Sequence, residues 1–302
     1  MHSIDGLLSC SCRPVFYHAH GDLPQNQIKM KKSILFVLIC LCLNALATGN
    51  ESDNPSIGIE IIWSHAPGMP YAAMFIPVQL VGDTNTYIMQ FDFGAPNTVF
   101  YQDAPNGTSF KIGDNAIELD SLRLVDLPYR KERKLIGTIG MDALIKSKLR
   151  IDFKNSELFI NPKPNDHATY DFYLVQEKII FPAKIDQNPT ALLYDSGSSA
   201  FDLITDKQNW DTYRLPETET HSYPVKSWGR DMKVHVAQAE MPLEMAGVKM
   251  VIDQIAHVEG MDQASIEHMR NTGMGGMIGN TLFIDKVLYL DFQNKKFSIL
   301  AN

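Results

Sequence analysis

This 302-residue chain has little cysteine, and what it has is confined to one end. All four cysteines, Cys10, Cys12, Cys40 and Cys42, lie in the first 43 residues. If the leader predicted below is removed, no disulfide can stabilise the remaining protein, which must rely on its hydrophobic core. The remaining residues 48–302 are enough for one large domain or two lobes of ordinary size.

The chain also lacks a basic excess and a long apolar run. The chain has 27 Lys and Arg but 35 Asp and Glu, which gives a formal net charge of −8. We therefore expect no nucleic-acid partner. The unbroken apolar run Ile34–Leu43 is far shorter than the roughly 20 residues of a membrane-spanning helix. No stable membrane span is expected after this run is removed.

That run has the flanks of an export signal. Met30-Lys31-Lys32 is a basic start, and Ala45-Leu46-Ala47 matches a small-x-small cleavage site. Residues 30–47 are therefore predicted to be a signal peptide, and the mature protein is predicted to be periplasmic or extracellular. Residues 1–29 are then expected to be a misassigned start, since a signal has its basic end at the N-terminus.

The most informative feature is an internal duplication. Residues 139–160 align without a gap onto residues 278–299, and eight of the 22 positions are identical. The identical pairs are Ile139/Ile278, Gly140/Gly279, Ile145/Ile284, Leu149/Leu288, Asp152/Asp291, Phe153/Phe292, Asn155/Asn294 and Ile160/Ile299. Upstream of each copy, an apolar strand ends in Asp-x-Gly, at Asp92-Phe93-Gly94 and Asp195-Ser196-Gly197. Two lobes that each offer one aspartate suggest a paired-carboxylate site.

Apolar residues alternate with polar ones through much of the chain, which predicts a mainly β protein with a few short helices. One helix is expected to begin at Thr205, capped with Gln208, and another to span about 263–270. The Pro-rich stretch Asn161–Asp166 is the expected boundary between an N-terminal lobe, 48–165, and a C-terminal lobe, 166–302.

Asp152 and Asp291 are expected to be structural rather than catalytic. Each follows a strand and precedes Phe-x-Asn and a second short strand. This pattern is typical of a β-hairpin with an Asp/Asn-rich turn.

The combination of motifs resembles the aspartic protease superfamily of pepsin-like and retropepsin-like enzymes. Members carry Asp-Thr/Ser-Gly in each lobe with a downstream apolar-apolar-Gly, as in Asp195-Ser196-Gly197, Thr138-Ile139-Gly140 and Met277-Ile278-Gly279. The resemblance spans about Tyr71–Leu300. It implies an all-β fold of two duplicated closed β-barrel lobes, with a peptide or protein substrate in the cleft between them and no metal or cofactor; we expect a monomer.

The resemblance implies that Asp92 and Asp195 are the catalytic pair. Hydrolysis of an amide needs one carboxylate that accepts a proton from water and one carboxylic acid that donates a proton, and two adjacent carboxyls can hold these roles by sharing one proton. Gly94 and Gly197 would allow the tight turns around the pair. Ser196 and Ser198 are expected to support it.

The chain departs from the family at Phe93, which stands where the family has Thr or Ser. Each of those hydroxyls bonds across to the opposite aspartate loop, and Phe93 cannot make such a bond. The flap that closes over substrate is also unassigned: the candidate hairpin Phe110–Leu119 has no tyrosine, and Ser227-Trp228-Gly229 is flap-like in composition but fits a Trp packed on a hairpin better.

Other motifs are set aside. Asp92-Phe93-Gly94 has no accompanying kinase motifs, and the glycine-rich Gly273–Gly279 has no nucleotide-binding register. No histidine pair has metalloprotease spacing, and Ser198 is not in Gly-x-Ser-x-Gly. Cys10-x-Cys12 with His18-x-His20 does not match the common zinc patterns.

Three functions stay open at this point. The first is an aspartic endopeptidase. The second is a catalytically degenerate module of the same fold, in which the loss of the hydroxyl at Phe93 leaves a cleft that binds a peptide or another ligand. The third is a structural protein of the cell envelope, which would have no cleft and no coupled carboxylates.

Overall fold

The computed structural model describes residues 57–66, 69–129, 131–162, 168–227, 230–260, 267 and 273–301. The chain divides into the units Met1–Asn54 and Pro55–Asn302, and all described residues belong to the second. The predicted misassigned start and signal peptide, residues 1–47, lie outside the described residues. So does the predicted helix at 263–270, apart from Glu267.

The described chain is built mainly from short strands. Those of the first half are β1 (Ile59–Glu60), β2 (Ile62–Ala66), β3 (Met69–Leu80), β4 (Tyr87–Phe91), β5 (Val99–Gln102), β6 (Ser109–Ile112), β7 (Asn115–Glu118), β8 (Leu124–Pro128), β9 (Leu135–Ile139), β10 (Lys148–Asp152) and β11 (Glu157–Ile160). Those of the second half are β12 (Tyr170–Asp171), β13 (Tyr173–Val175), β14 (Lys178–Ile185), β15 (Asn188–Tyr194), β16 (Leu203–Ile204), β17 (His221–Ser227), β18 (Arg230–Met245), β19 (Val248–Glu259), β20 (Met274–Ile278), β21 (Lys286–Asp291) and β22 (Lys296–Ala301).

Helices are few among the described residues, as the sequence predicted. They are α1 (Met141–Leu144), α2 (Lys207–Tyr213) and two 3-10 turns, Lys131–Arg133 and Asn280–Phe283. The predicted all-β class is confirmed.

The two halves repeat one pattern of strand pairing. In the first, β4 runs parallel to β9, β5 antiparallel to β9, and β5 parallel to β8. In the second, β15 runs parallel to β20, β16 antiparallel to β20, and β16 parallel to β19. The duplication read from the sequence is therefore a duplication of topology.

Each half contributes one eight-stranded sheet. The strand orders are β7-β6-β3-β4-β9-β5-β8, with β2 beside β3, and β13-β14-β15-β20-β16-β19-β18-β17. In the second sheet β14 also pairs with β18, so the path returns on itself. The closure of both lobes into barrels stays a prediction.

The repeats themselves meet in a third, six-stranded sheet of order β1-β11-β10-β21-β22-β12. There β10 pairs antiparallel with β21, with Leu149 opposite Leu290 and Ile151 opposite Leu288. The register is centred on Arg150 opposite Tyr289, which are equivalent positions of the two repeats. A local two-fold relationship between the halves follows from this register.

Because both halves supply strands to this sheet, they also share one hydrophobic core. A single cluster of buried residues includes Phe91 and Phe93 from the first half with Tyr194 and Phe292 from the second. The predicted boundary at 161–166 overlaps residues outside the described part of the chain and stays a prediction. We call the half that contains β1 to β11 the first lobe and the half that contains β12 to β22 the second lobe.

Asp152 and Asp291 occupy the same turn in the two repeats. The carboxylate of Asp152 accepts hydrogen bonds from the backbone and side-chain N–H groups of Asn155, and that of Asp291 does the same with Asn294. Lys148 forms an ion pair with Asp291 at 3.1 Å. Both aspartates are turn residues, as their pattern predicted.

The predicted cap of α2 was wrong by one residue. Asp206, not Thr205, accepts hydrogen bonds from the backbone N–H groups of Gln208 and Asn209, at 2.7 and 3.0 Å. The Thr205 hydroxyl donates instead to the carbonyl of Gly275 at 2.8 Å. A long-range bond to β20 therefore takes the hydroxyl that local pattern assigned to the helix.

Candidate active site

The two Asp-x-Gly loops leave their sheets in the same way. Asp92 follows β4, and its backbone N–H donates to the carbonyl of Ile139 in β9 at 3.1 Å. Asp195 follows β15, and its N–H donates to the carbonyl of Ile278 in β20 at 2.9 Å. The parallel pairing of these strands therefore fixes the start of each loop.

The Ile-Gly element of each lobe then passes directly against the loop. A Cβ placed on Gly140 would lie 2.4 Å from the carbonyl carbon of Asn97, and one on Gly279 would lie 2.4 Å from the carbonyl oxygen of Ser198. Only glycine allows the backbones to approach this closely. This close approach explains why the sequence repeats Asp-x-Gly and Ile-Gly together in each lobe.

The loops bring Asp92 and Asp195 together, and each carboxyl lies against the loop of the other aspartate. Oδ1 of Asp92 accepts from the N–H of Gly94 at 2.8 Å and from that of Ala95 at 3.2 Å. Oδ1 of Asp195 accepts from the N–H of Gly197 at 2.9 Å. Each carboxyl is thus held by its own turn and contacts the opposite loop.

The two glycines give the pair its closeness. A Cβ on Gly94 would lie 2.5 Å from the carboxyl of Asp195, and a Cβ on Gly197 would lie 2.4 Å from Oδ2 of Asp92. Each glycine therefore contacts the aspartate of the opposite lobe, and any residue with a Cβ at either position would overlap that carboxyl.

Asp92 is nearly buried, with 6% of its surface exposed, while Asp195 is partly exposed. Burial raises the pKa of Asp92 well above its usual value, and the charge of Asp195 raises it further. Hydrogen bonds from Gly94 and Ala95 act in the opposite direction without cancelling these effects. Two carboxyls in this environment can hold one proton between them, which is the arrangement that general acid–base chemistry requires.

Ser196 links the two loops, as predicted for its hydroxyl. Its Oγ accepts from the N–H of Phe93 at 2.9 Å and donates to the carbonyl of Phe91 at 2.9 Å. One side chain of the second lobe therefore fixes the backbone on both sides of Asp92.

Ser198, the other predicted support, acts through its backbone. Its N–H donates to the carbonyl of Asp195 at 3.2 Å and so closes the turn, while its own carbonyl lies against Gly279. Its partly exposed side chain has no role that the structure explains.

Phe93 is directed into the core and does not separate the carboxyls. Its ring is fully buried and packs against Phe91, Tyr194 and Phe292, at centroid distances of 5.1, 5.3 and 6.0 Å. Where the family pattern has a hydroxyl, this chain has an aromatic contact between the lobes, since Tyr194 belongs to the second half.

Sequence reasoning missed two polar residues of the site, Tyr194 and Asn280. The Tyr194 hydroxyl donates to Oδ1 of Asn280 at 2.6 Å, and Nδ2 of Asn280 donates to the carbonyl of Ser196 at 3.2 Å. The available signal was a difference between the copies: the equivalent positions of the first repeat hold the apolar Phe91 and Met141.

The tip of the first candidate flap packs on another strand, and the second candidate lies largely outside the described residues. The first candidate is the β6–β7 hairpin, and a Cβ on Gly113 at its tip would lie 3.1 Å from Ile59. This tip packs on β1, a strand of the six-stranded sheet. In the second candidate, Trp228 and Gly229 lie outside the described residues.

Two cavities lie elsewhere on the second half. One of about 270 Å³ is bordered by Phe201, Tyr223 and Gln254, and one of about 340 Å³ by Asn188, Asn209 and Met274. Neither includes Asp92 or Asp195 in its lining.

Within the described part of the chain, no group of three or more His, Cys, Asp or Glu side chains is arranged to hold a metal ion. His235 is hydrogen-bonded to Ser222 and Glu259, at 2.9 and 3.0 Å, and stacks on His257.

No helix among the described residues is long and apolar enough to cross a membrane.

No protein-family model matches the chain, and no curated protein matches it. Among solved structures, the aspartic proteinase from Irpex lacteus is similar to it, with a TM-score of 0.47 and 12% sequence identity. The match covers 76% of this chain and 94% of that one.

Proposed function

We propose that the protein is an aspartic peptidase that hydrolyses peptide bonds with Asp92, Asp195 and a water molecule. One observation carries the proposal: two aspartates end equivalent loops, and the carboxyl of each lies against the glycine of the opposite loop. A pair of structural turn residues would not need this approach between loops. The cost of burying Asp92 beside a like charge favours a functional role.

In this mechanism the pair holds one proton across the pH range between its two apparent pKa values. The ionised carboxyl accepts a proton from water, which attacks the peptide carbonyl carbon, and the protonated carboxyl donates its proton to the carbonyl oxygen. The C–N bond of the resulting gem-diol then breaks as the leaving nitrogen takes a proton from one carboxyl and a hydroxyl returns a proton to the other, which leaves the pair with one proton again. Ser196 keeps the loops in register while the charge moves. The substrate would be a peptide or protein, bound between the lobes.

The second candidate is a binding module of the same fold. It is favoured by a single observation, that Phe93 has no hydroxyl to match the link made by Ser196. In this function Asp92 and Asp195 would hold a peptide or another ligand without useful hydrolysis.

A cleavage assay separates the two functions. Purified residues 48–302, chosen because export is proposed to remove the leader, are incubated with a mixed peptide library from about pH 3 to 7. Asp195→Asn removes half of the proton-sharing pair, and Asp291→Asn is the control because Asp291 also ends a strand and accepts a hydrogen bond within its own turn, but is not part of the pair. The peptidase is supported if wild type and Asp291→Asn cleave and Asp195→Asn does not. Absence of cleavage by wild type would contradict it and favour the binding module.

A further inference from the structure

The loop of the second aspartate is attached to the core by a buried chain of hydrogen bonds. Tyr194 donates to Asn280, which donates to the carbonyl of Ser196. All three residues have no exposed surface. Burial raises the pKa of Tyr194 well above its usual value, as does the charge of Asp195, so the hydroxyl keeps the proton that it donates.

A second attachment ends on the same carbonyl. The Ser199 hydroxyl donates to the carbonyl of Ser196 at 2.7 Å, and the backbone N–H of Asn280 donates to that hydroxyl at 3.3 Å. The carbonyl of Ser196 therefore accepts two bonds from side chains that are themselves fixed. Satisfied polar networks in a buried site restrict movement more than a single bond does.

The first lobe has no side-chain donors at these positions. Phe91, Met141 and Pro96 are the equivalents of Tyr194, Asn280 and Ser199. Its loop is held further along the chain, where Oδ1 of Asp142 accepts from the backbone N–H and the hydroxyl of Thr98, both at 2.7 Å.

Ser196, the attached residue, also links the two aspartate loops. The Ser196 hydroxyl holds both Phe91 and Phe93 of the first lobe. The Phe93 ring packs on Tyr194, the start of the hydrogen-bonded chain. Tyr194 is thus fixed by a contact from the first lobe and by a hydrogen bond within the second.

We infer that Tyr194 and Asn280 are positioning residues, which hold Ser196 and thereby keep Asp195 against Asp92 in place of the cross-lobe hydroxyl that Phe93 lacks. The expected effect of these residues on the catalytic rate rests on the proposed peptidase function. Their expected effect on the distance between the two carboxyls does not rest on it, because that effect follows from the geometry of the loops alone.

Loosening the attachment has a measurable electrostatic consequence. Two carboxyls in contact titrate as a pair, and their interaction drives the two apparent pKa values apart. If Asp195 moves away from Asp92, the interaction weakens and the separation between the two values narrows. A variant that is less stable but keeps Asp195 in place would leave the separation between the two pKa values unchanged.

The test is Tyr194→Phe, which deletes only the hydroxyl. Tyr87→Phe is the matched control, because it deletes a tyrosine hydrogen bond of 2.7 Å, to Asp83, at the start of the first lobe's equivalent strand. Carboxyl titration is followed by ¹³C NMR in wild type and both variants. We expect the pair's two pKa values to approach by about half a unit or more in Tyr194→Phe and to stay unchanged in Tyr87→Phe.

A kinetic measurement on a cleaved peptide accompanies the titration. For Tyr194→Phe we expect kcat to fall about fivefold or more while KM stays within about twofold, because the reacting groups and not the binding surface are displaced. Asn280→Met, which installs the residue of the first lobe, should give the same narrowing, and it replaces Tyr194→Phe if that variant does not fold.

The two possible failures are distinguishable. An unchanged separation in Tyr194→Phe and Asn280→Met, or equal narrowing in Tyr87→Phe, overturns the positioning role whether or not the wild type cleaves peptides. Narrowing in the two test variants alone supports it, even if the wild type cleaves nothing and the proposed peptidase function fails.

Discussion

Gly197 of the second lobe faces the Asp92 carboxyl of the first so closely that a Cβ on the glycine would lie 2.4 Å from Oδ2. Gly94 and Asp195 repeat this relationship in the opposite direction, at 2.5 Å. The site therefore contains two equivalent contacts between the lobes, and each contact requires a glycine opposite an aspartate.

Gly197→Ala should displace the Asp92 carboxyl. The added methyl group meets all three atoms of the carboxyl within 2.6 Å, so either the loop or the aspartate must move. Displacement of a reacting group by about 1 Å can cost about 100-fold in rate. For the proposed peptidase function, we therefore expect kcat/KM on a cleaved peptide to fall by at least that factor.

The matched control is Gly107→Ala. A Cβ there would lie no closer than 3.8 Å to its neighbours, so activity should stay within about twofold of wild type. Equal losses in the two variants would show that the contact with Asp92 is not the cause.

Phe93→Thr should destabilise the protein even though it introduces a hydroxyl between the two aspartate loops. The ring is fully buried, and truncating a buried aromatic costs about 3 to 5 kcal/mol, more than the roughly 1 kcal/mol of a new hydrogen bond. Chemical denaturation would measure the loss. Phe93→Leu keeps more of the apolar volume and should lower the free energy of unfolding by less. A Phe93→Thr variant as stable as wild type would contradict the expected cost of removing the buried ring.

Asp92→Asn should increase stability at neutral pH. Burial raises the pKa of Asp92 in the folded state, with the charge of Asp195 adding to it. The unfolded chain therefore loses this proton first as pH rises, so the free energy of unfolding falls from about pH 4 upward to the folded-state pKa. An asparagine removes this penalty. Urea denaturation should show that Asp92→Asn is more stable than wild type at pH 7 and that the difference becomes smaller at pH 3. A variant less stable than wild type at pH 7 would contradict the predicted cost of the buried charge.

Asp291→Asn should have the opposite dependence on pH. Burial acts to raise the pKa of Asp291, but hydrogen bonds from Asn294 and Lys148 outweigh it, and the pKa is lowered. Its stabilising contribution is present above the unfolded-state pKa of about 4 and is lost as pH falls through the folded value. The variant should be less stable than wild type at pH 7, with the difference shrinking on acidification, while peptide cleavage is retained.

Asp206→Ala should destabilise the protein by about 1 kcal/mol, the usual effect of removing a helix N-cap. The reason is the loss of the two hydrogen bonds to the first turn of α2. Thermal denaturation with an activity assay would show a lower Tm and unchanged kcat/KM. A loss of activity without loss of stability would place Asp206 in the function instead.

The sequence predicted the parts of the site that are periodic or repeated. The strands before Asp92 and Asp195, the turns at Asp152 and Asp291 and the link from Ser196 were all predicted from local pattern and the resemblance. The cap of α2 was misplaced because the Thr205 hydroxyl bonds to β20, a partner 70 residues away. No local pattern contains such a partner.

Alternation and repetition are properties of the linear chain, so the sequence was sufficient to predict the duplication, the mainly β class and the two aspartates that end equivalent strands. How Phe93 is accommodated, and how Tyr194 and Asn280 hold Ser196, could be seen only in the folded protein. These contacts join residues from different lobes or from strands far apart in the chain, and their distances depend on how the two copies pack across the shared sheet.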